Sequence, residues 1–285
     1  MASNTQRFTL PESTPRSSKT TINIAGVLIY LYGVDELTPK QTQDTAVLFH
    51  VHGRTKDYHD AEEIAHELLF QTRQLDTFPK GLVVATMDNR NHGTRAIDKT
   101  AVEDWRGGNP KHAQDMLSTM DGIVVDARIV MKFLRSYVED RFVPTQFIIS
   151  GMSLGGHTAW NMLADEPRVT AGVIIVGSPN LTDMMAERLH AVESDGSIDA
   201  GRWLLSIQTL YRDRDESVAA IEGKEMLIMN GALDKLVPSK YTDPWVEKYS
   251  DRNHVEFYVY ENTGHYVSFE MIETVTRWVS ARLSN

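Results

Sequence analysis

The sequence predicts an α/β protein, a three-layer α/β/α sandwich built on a mostly parallel sheet. Three observations predict it. Apolar runs of strand length, rich in Val, Ile, Leu, Phe and Tyr, recur along the chain and are nearly continuous, as strands buried on both faces are. Stretches with helical spacing alternate with them, the rhythm of right-handed strand–helix–strand crossovers. A chain of 285 residues with 41% hydrophobic content is large enough to bury the core that such a sandwich needs.

Taken in order, the first 19 residues are polar, carry Pro11 and Pro15, and read as a mobile arm or an added edge segment. The main domain is expected over residues 20–285. Ile22–Tyr32, interrupted at Gly26, predicts an antiparallel hairpin at one edge. Ala46–Val51, Leu82–Met87, Gln146–Ser150, Ala171–Val176, Met226–Met229 and Val255–Tyr260 predict the other strands. Helices are expected over Asp60–Arg73, His112–Val138, Ser153–Asp165, Tyr241–Tyr249 and Tyr266–Leu283. In His112–Val138, for example, Met116, Met120, Ile123, Val130 and Leu134 fall near 3.6-residue spacing. Between about 180 and 222 the rhythm breaks. Helical patterns at Leu181–Val192, Ile198–Tyr211 and Asp213–Ile221 follow one another with no strand. This predicts a helical lid insertion that covers and shapes a site.

Composition excludes several functions. A net charge of −10 suits neither a phosphate backbone nor an anionic membrane surface, so neither nucleic acid nor membrane is an expected partner. The chain has no Cys, which removes disulfides, thiolate metal sites and a Cys nucleophile, and fits a reducing compartment. No signal-peptide pattern is visible, and no run reaches the roughly 18 apolar residues of a membrane span. A cytoplasmic protein is expected. Nothing in the sequence sets its oligomeric state.

The chemistry is read from Gly151-Met152-Ser153-Leu154-Gly155, followed by Gly156. It comes straight after the strand Phe147–Ser150 and straight before a helical pattern. That is the context of a nucleophile on a sharp strand-to-helix turn. A serine hydroxyl attacks a carbonyl only when a base takes its proton and a third group orients that base. His265 is the expected base. It follows the last strand through Glu261–Gly264, at the carboxyl end of the sheet where Ser153 also lies. Asp234 is the expected acid, at the end of the preceding strand through Asn230–Leu233. Asp183, Asp195, Asp199 and Asp243 are rivals by chain order, but they fall in the insertion or at a helix start. The oxyanion is expected to meet the backbone N–H of Leu154 and that of Arg54, in the loop His52-Gly53-Arg54, with Thr55 as the alternative donor.

His52 is expected to brace the oxyanion loop and to border the substrate. Asp88 and Arg90 are expected to tie loops together. Trp105, Met184, Met185, Trp203 and Tyr211 are expected to line an apolar pocket beneath the insertion. His50, His52, Asp57, His59 and Asp60 have a metal-binding composition, but the His-x-His-x-Asp-His spacing is absent, and neither metal nor cofactor is expected.

These residues together resemble the α/β-hydrolase superfamily over nearly the whole chain. The elbow Gly151–Gly156, the His52-Gly53 loop, the Asp88–Gly93 turn, Gly231-x-x-Asp234-x-x-Val237-Pro238 and Gly264-His265 carry the resemblance. The double glycine and the Asp-x-x-Val-Pro segment are most similar to the esterase, dienelactone-hydrolase and prolyl-oligopeptidase-like branch. The chain departs from that branch in having no Cys nucleophile and no room for a propeller domain. The resemblance implies an α/β-hydrolase fold and a carboxylesterase-like activity on a small-molecule acyl substrate. Acyl transfer or thioester cleavage on the same three residues, a non-covalent lyase or isomerase, and a non-catalytic binding protein are the alternatives.

Overall fold

A computed structural model describes residues 6–75, 78–194 and 203–284. Among these residues eight strands form one sheet in the order β1-β2-β4-β3-β5-β6-β7-β8. They are β1 (Lys19–Ile24), β2 (Val27–Tyr32), β3 (Thr45–Val51), β4 (Gly81–Thr86), β5 (Pro144–Met152), β6 (Val169–Ile175), β7 (Glu225–Gly231) and β8 (His254–Tyr260). Each expected apolar run is a strand. β1 and β2 form the expected edge hairpin, turning on Ala25 and Gly26, both at positive φ as a two-residue hairpin turn requires. β2 pairs antiparallel with β4, and every later pairing is parallel.

Among the described residues seven α-helices complete the layers: α1 (Tyr58–Leu75), α2 (His112–Tyr137), α3 (Leu154–Asp165), α4 (Leu181–Ser194), α5 (Leu205–Ala219), α6 (Asp243–Tyr249) and α7 (Phe269–Leu283). The alternation of strand side chains decides which helix covers which face. Val47, Phe49, Val51 and Ile149 point to one side, into a core closed by Ile123, Val130 and Leu134 of α2 and Trp160 of α3. Ala46, Leu48, Val84 and Ile148 point to the other, against Leu68 of α1 and Met271, Val275 and Val279 of α7. Burying each such side chain contributes about 1.5–3 kcal/mol, so the fold is held from both faces of the sheet.

Two expectations change. The helices predicted over Ile198–Tyr211 and Asp213–Ile221 are a single helix, α5. The charged stretch Arg212-Asp213-Arg214 does not break it, because Arg214 turns inward and donates to Asn161 Oδ1 and to the Pro179, Ser178 and His157 carbonyls. Residues 195–202, the start of that prediction, lie outside the described residues. Residues 6–18, expected as a mobile arm or an edge segment, are docked. The Phe8 N–H donates to the Val267 carbonyl, the Leu10 N–H to Glu63 and the Thr14 hydroxyl to Glu67, and the Phe8 ring meets Phe269 edge to face.

Candidate active site

β5 ends at Met152, and the chain reverses through Ser153 into α3. Ser153 has φ 57° and ψ −113°, a backbone state that costs a non-glycine residue about 1–3 kcal/mol. Neighbours hold it there. Its N–H donates to the Ile175 carbonyl, and its carbonyl accepts from the His157 N–H. The flanking glycines are a matter of space. A Cβ on Gly151 would lie 2.2 Å from the Gly155 carbonyl oxygen, and one on Gly155 would lie 2.0 Å from that of Val51.

Asp234 and His265 arrive from the loops after β7 and β8. The Asp234 carboxylate has no side-chain exposure. Its Oδ1 accepts from the N–H groups of Leu236 (2.8 Å) and Val237 (2.9 Å), and its Oδ2 lies 2.7 Å from His265 Nδ1. Burial alone would push this carboxyl up. The His265 hydrogen bond and charge, with the two N–H donors, outweigh burial and hold it below the ordinary carboxylate value. An ionised carboxylate only accepts, so Nδ1 carries the proton and Nε2 is left as an acceptor. Nε2 lies 2.8 Å from Ser153 Oγ. The three residues therefore form one hydrogen-bonded line, hydroxyl to ring to carboxylate.

The loops that carry Asp234 and His265 are clasped through their backbones. The Ala232 N–H donates to the Tyr260 carbonyl and the Leu233 N–H to that of Thr263. A Cβ on Gly231 would meet the Thr263 carbonyl oxygen at 2.3 Å, so this contact requires glycine.

The loop after β3 passes against the elbow. A Cβ on Gly53 would lie 3.0 Å from Met152 Sδ and 3.6 Å from Ser153 Cβ. Among the described residues, neither the Arg54 nor the Leu154 N–H donates to another backbone carbonyl. His52 braces this loop. Its Nε2 accepts from the Asn89 N–H at 3.0 Å, so Nδ1 is the protonated nitrogen and donates to the Gly53 carbonyl at 2.8 Å. Burial, with His92 nearby, pushes the His52 ring down to about 4, so it stays neutral. His50, bonded to Ser150 Oγ, is pushed down to about 3 by burial and by His52. Asp88 accepts from the Tyr58 N–H and from Thr94, and Arg90 forks onto Asp126, so both tie loops together. His50, His52 and His59 turn to separate partners, and no group of three or more His, Asp or Glu side chains among the described residues is placed to hold a metal ion.

A cavity of about 590 Å³ opens at Ser153 and His265. Of the expected lining residues, His52 borders it. Trp105, Met184, Met185 and Tyr211 do not. They are buried in a separate apolar cluster with Met116, Leu117 and Leu154, and Trp203 packs on its edge. The physical reason is that α4 and α5 turn their apolar faces inward onto α2, and the Tyr211 hydroxyl donates to the Ala113 carbonyl. The cavity walls come instead from the N-terminal arm (Phe8, Thr9), from α1 (Ala61, Ile64) and from the segment after His265 (Tyr266, Val267). The only sequence signal for the arm was Phe8 and Leu10, two large apolar residues in an otherwise polar stretch.

No helix among the described residues is long and apolar enough to cross a membrane. No family model matches the chain. A segment of 146 residues is 27% identical to "Putative esterase YitV" of Bacillus subtilis (strain 168), over 47% of this chain and 56% of that relative. The match thus spans about half the length of each protein. Among solved structures, TT1662 from Thermus thermophilus superposes with a TM-score of 0.67 at 16% identity, over 95% of this chain and all of that one. The Pyrococcus furiosus esterase Pf2001 gives 0.58 at 15%, over 94% and 91%. A puromycin-hydrolyzing peptidase from Mycobacterium tuberculosis gives 0.65 at 18%, over 96% of this chain but 39% of that one. With the sheet order, the elbow and these superpositions in hand, the chain has the α/β-hydrolase fold.

Proposed function

We propose that the chain is a serine hydrolase that cleaves an ester of a small-molecule acyl substrate through an acyl-enzyme. The observation that carries the reading is the unbroken line from Ser153 Oγ through His265 to the Asp234 carboxylate, with hydrogen bonds of 2.8 and 2.7 Å. Ser153 Oγ attacks the ester carbonyl and passes its proton to His265 Nε2. The oxyanion that forms is met by the N–H groups of Leu154 and Arg54. As the carbon–oxygen bond to the alcohol breaks, Nε2–H protonates the leaving alkoxide. Water then attacks the acyl-serine, gives its proton to Nε2, and the acid leaves as Oγ regains that proton. Asp234 keeps the ring in the tautomer each step needs and offsets the imidazolium charge. No cofactor enters any step. The esterase names borne by YitV and Pf2001 agree with this chemistry.

The test is covalent labelling with a fluorophosphonate followed by peptide mass mapping. Wild type should carry the label on Ser153, and Ser153→Ala should carry none. Parallel assays on p-nitrophenyl esters and p-nitroanilides should show turnover of the esters first, and an added alcohol acceptor should not divert the acyl group. Equal labelling of wild type and Ser153→Ala would sink the assignment, and preferential anilide cleavage would replace esterase with peptidase.

A further inference from the structure

The walls of the cavity suggest what its substrate carries. Beside the reacting hydroxyl the cavity is bordered by the N-terminal arm and α1, and no described residue of α4 or α5 lines it. Its apolar surface is made by Phe8 of the arm, Ala61 and Ile64 of α1, Met152 beside the nucleophile, and Val267 after the base. Phe8, Ile64 and Val267 are each only 8% exposed, so these side chains are held and not loosely draped. The arm is fixed on both sides of Phe8, by Arg7 before it and by the Leu10 N–H, which donates to Glu63, after it. Arg7 bridges to Ser268 in antiparallel fashion, and the Phe8 N–H donates to the Val267 carbonyl at 2.7 Å. The segment that the arm grips begins two residues after His265. One side of the pocket is therefore built on the same loop as the base.

The geometry points to the N-terminal arm as the specificity wall of this site, with Phe8 and Ile64 both lining a subsite for the apolar limb of an ester. The inference rests on the proposed hydrolase reading only for the position of the reacting carbonyl at Ser153. A limb of several carbons or an aromatic ring, laid along Phe8 and Ile64, gains contact that an acetyl group is too short to make. The size of the cavity suits a small molecule, and its walls are mixed, with Arg7, Lys56, Asp60 and Glu63 bordering the apolar strip of Phe8, Ala61 and Ile64. Binding energy made along such a wall appears as discrimination by length, since each methylene in an apolar pocket is worth on the order of ten-fold or more in selectivity.

The experiment compares wild type with Phe8→Ala and Ile64→Ala on p-nitrophenyl acetate, butyrate and hexanoate. Calorimetry of the unreactive p-nitrophenyl hexyl ether runs alongside. In wild type kcat/KM should rise with acyl length. In each variant the hexanoate-to-acetate ratio should fall on the order of ten-fold, mainly through KM, and the ether should bind correspondingly more weakly. Phe133→Ala, on the outward side of α2, should leave the ratio unchanged. Because Phe8 also anchors the arm, Ile64→Ala on α1 tests the same subsite with the arm's own side chains unchanged. An unchanged ratio and unchanged ether binding in both variants overturn the proposal. Ether binding that weakens in the variants of a chain that hydrolyses no ester upholds the subsite and overturns the hydrolase reading instead.

Discussion

Replacing Asp234 by Asn tests the whole argument for the site with one atom. The side chain keeps its shape. The Asn oxygen can still accept from the Leu236 and Val237 N–H groups, so the loop has no reason to open. What changes is the group facing His265 Nδ1, now an NH2 donor at a spacing of 2.7 Å. To accept from it, the ring must move its proton to Nε2, which then faces Ser153 Oγ as a donor and cannot take the serine proton. The charge is lost as well. The imidazolium and the carboxylate charge centres lie about 4 Å apart, worth about 4 kcal/mol at an effective dielectric of 20, or about three decades in rate at 1.36 kcal/mol each. With the ring also held in the wrong tautomer, the expected loss in kcat is about 10⁴-fold or more. Steady-state hydrolysis of the best p-nitrophenyl ester measures it, with a urea melt to show that the variant folds like wild type. A folded Asp234→Asn protein that keeps more than about a tenth of wild-type kcat refutes the roles given to both residues.

Two further predictions concern the frame. Gly155→Ala puts a Cβ 2.0 Å from the Val51 carbonyl oxygen, where backbone and not a flexible side chain must yield. The cost is about 3 kcal/mol or more, roughly 6–12 °C in thermal midpoint, and a drop under about 2 °C would mean that the turn relaxes freely. The buried rings of His50 and His52 set an acid limb of stability. Their folded-state values, about 3 and about 4, lie below the ordinary 6.5, so as pH falls the unfolded chain takes up these protons first. Stability is therefore lost as pH falls through 6.5, with a limiting slope of about 1.4 kcal/mol per pH unit per ring, and the loss levels off near about 4 for His52 and about 3 for His50. Urea midpoints at about pH 7 and about pH 5 measure it, and His50→Asn, which can still accept from Ser150, should show the shallower fall. Equal slopes in variant and wild type would rule out the buried neutral ring as the cause.

The strands, and the three residues that meet at the hydroxyl, were legible because each has a local signature. A strand buried on both faces reads as a continuous apolar run, and Ser153 and Asp234 each follow such a run, while His265 follows the edge strand β8, whose run is broken by Glu256 and partly exposed. The pocket was not legible. An apolar side chain on a helical insertion looks the same in sequence whether it faces a cavity or a neighbouring helix. Met184, Met185 and Tyr211 face the core around α2. Phe8 failed in the opposite sense. Its burial depends on Val267 and Phe269, some 260 residues away, and nothing in the polar stretch around it has a period. Arg214, in a run that reads as a solvated face, is buried because distant carbonyls of β6's outgoing loop and α3 converge on it.

The backbone clasp between Leu233 and Thr263 has a consequence for how the protein ages under heat. Two loops held only by side chains could fray one at a time, leaving a folded but silent molecule. Here the segment bearing the carboxylate and the segment bearing the imidazole share hydrogen bonds and a glycine contact that lets no side chain between them. They come apart as a unit or not at all, and each continues directly from a strand of the sheet. Inactivation should therefore trace the same curve as the melting of the sheet, and a preparation that has kept its secondary structure should have kept its chemistry.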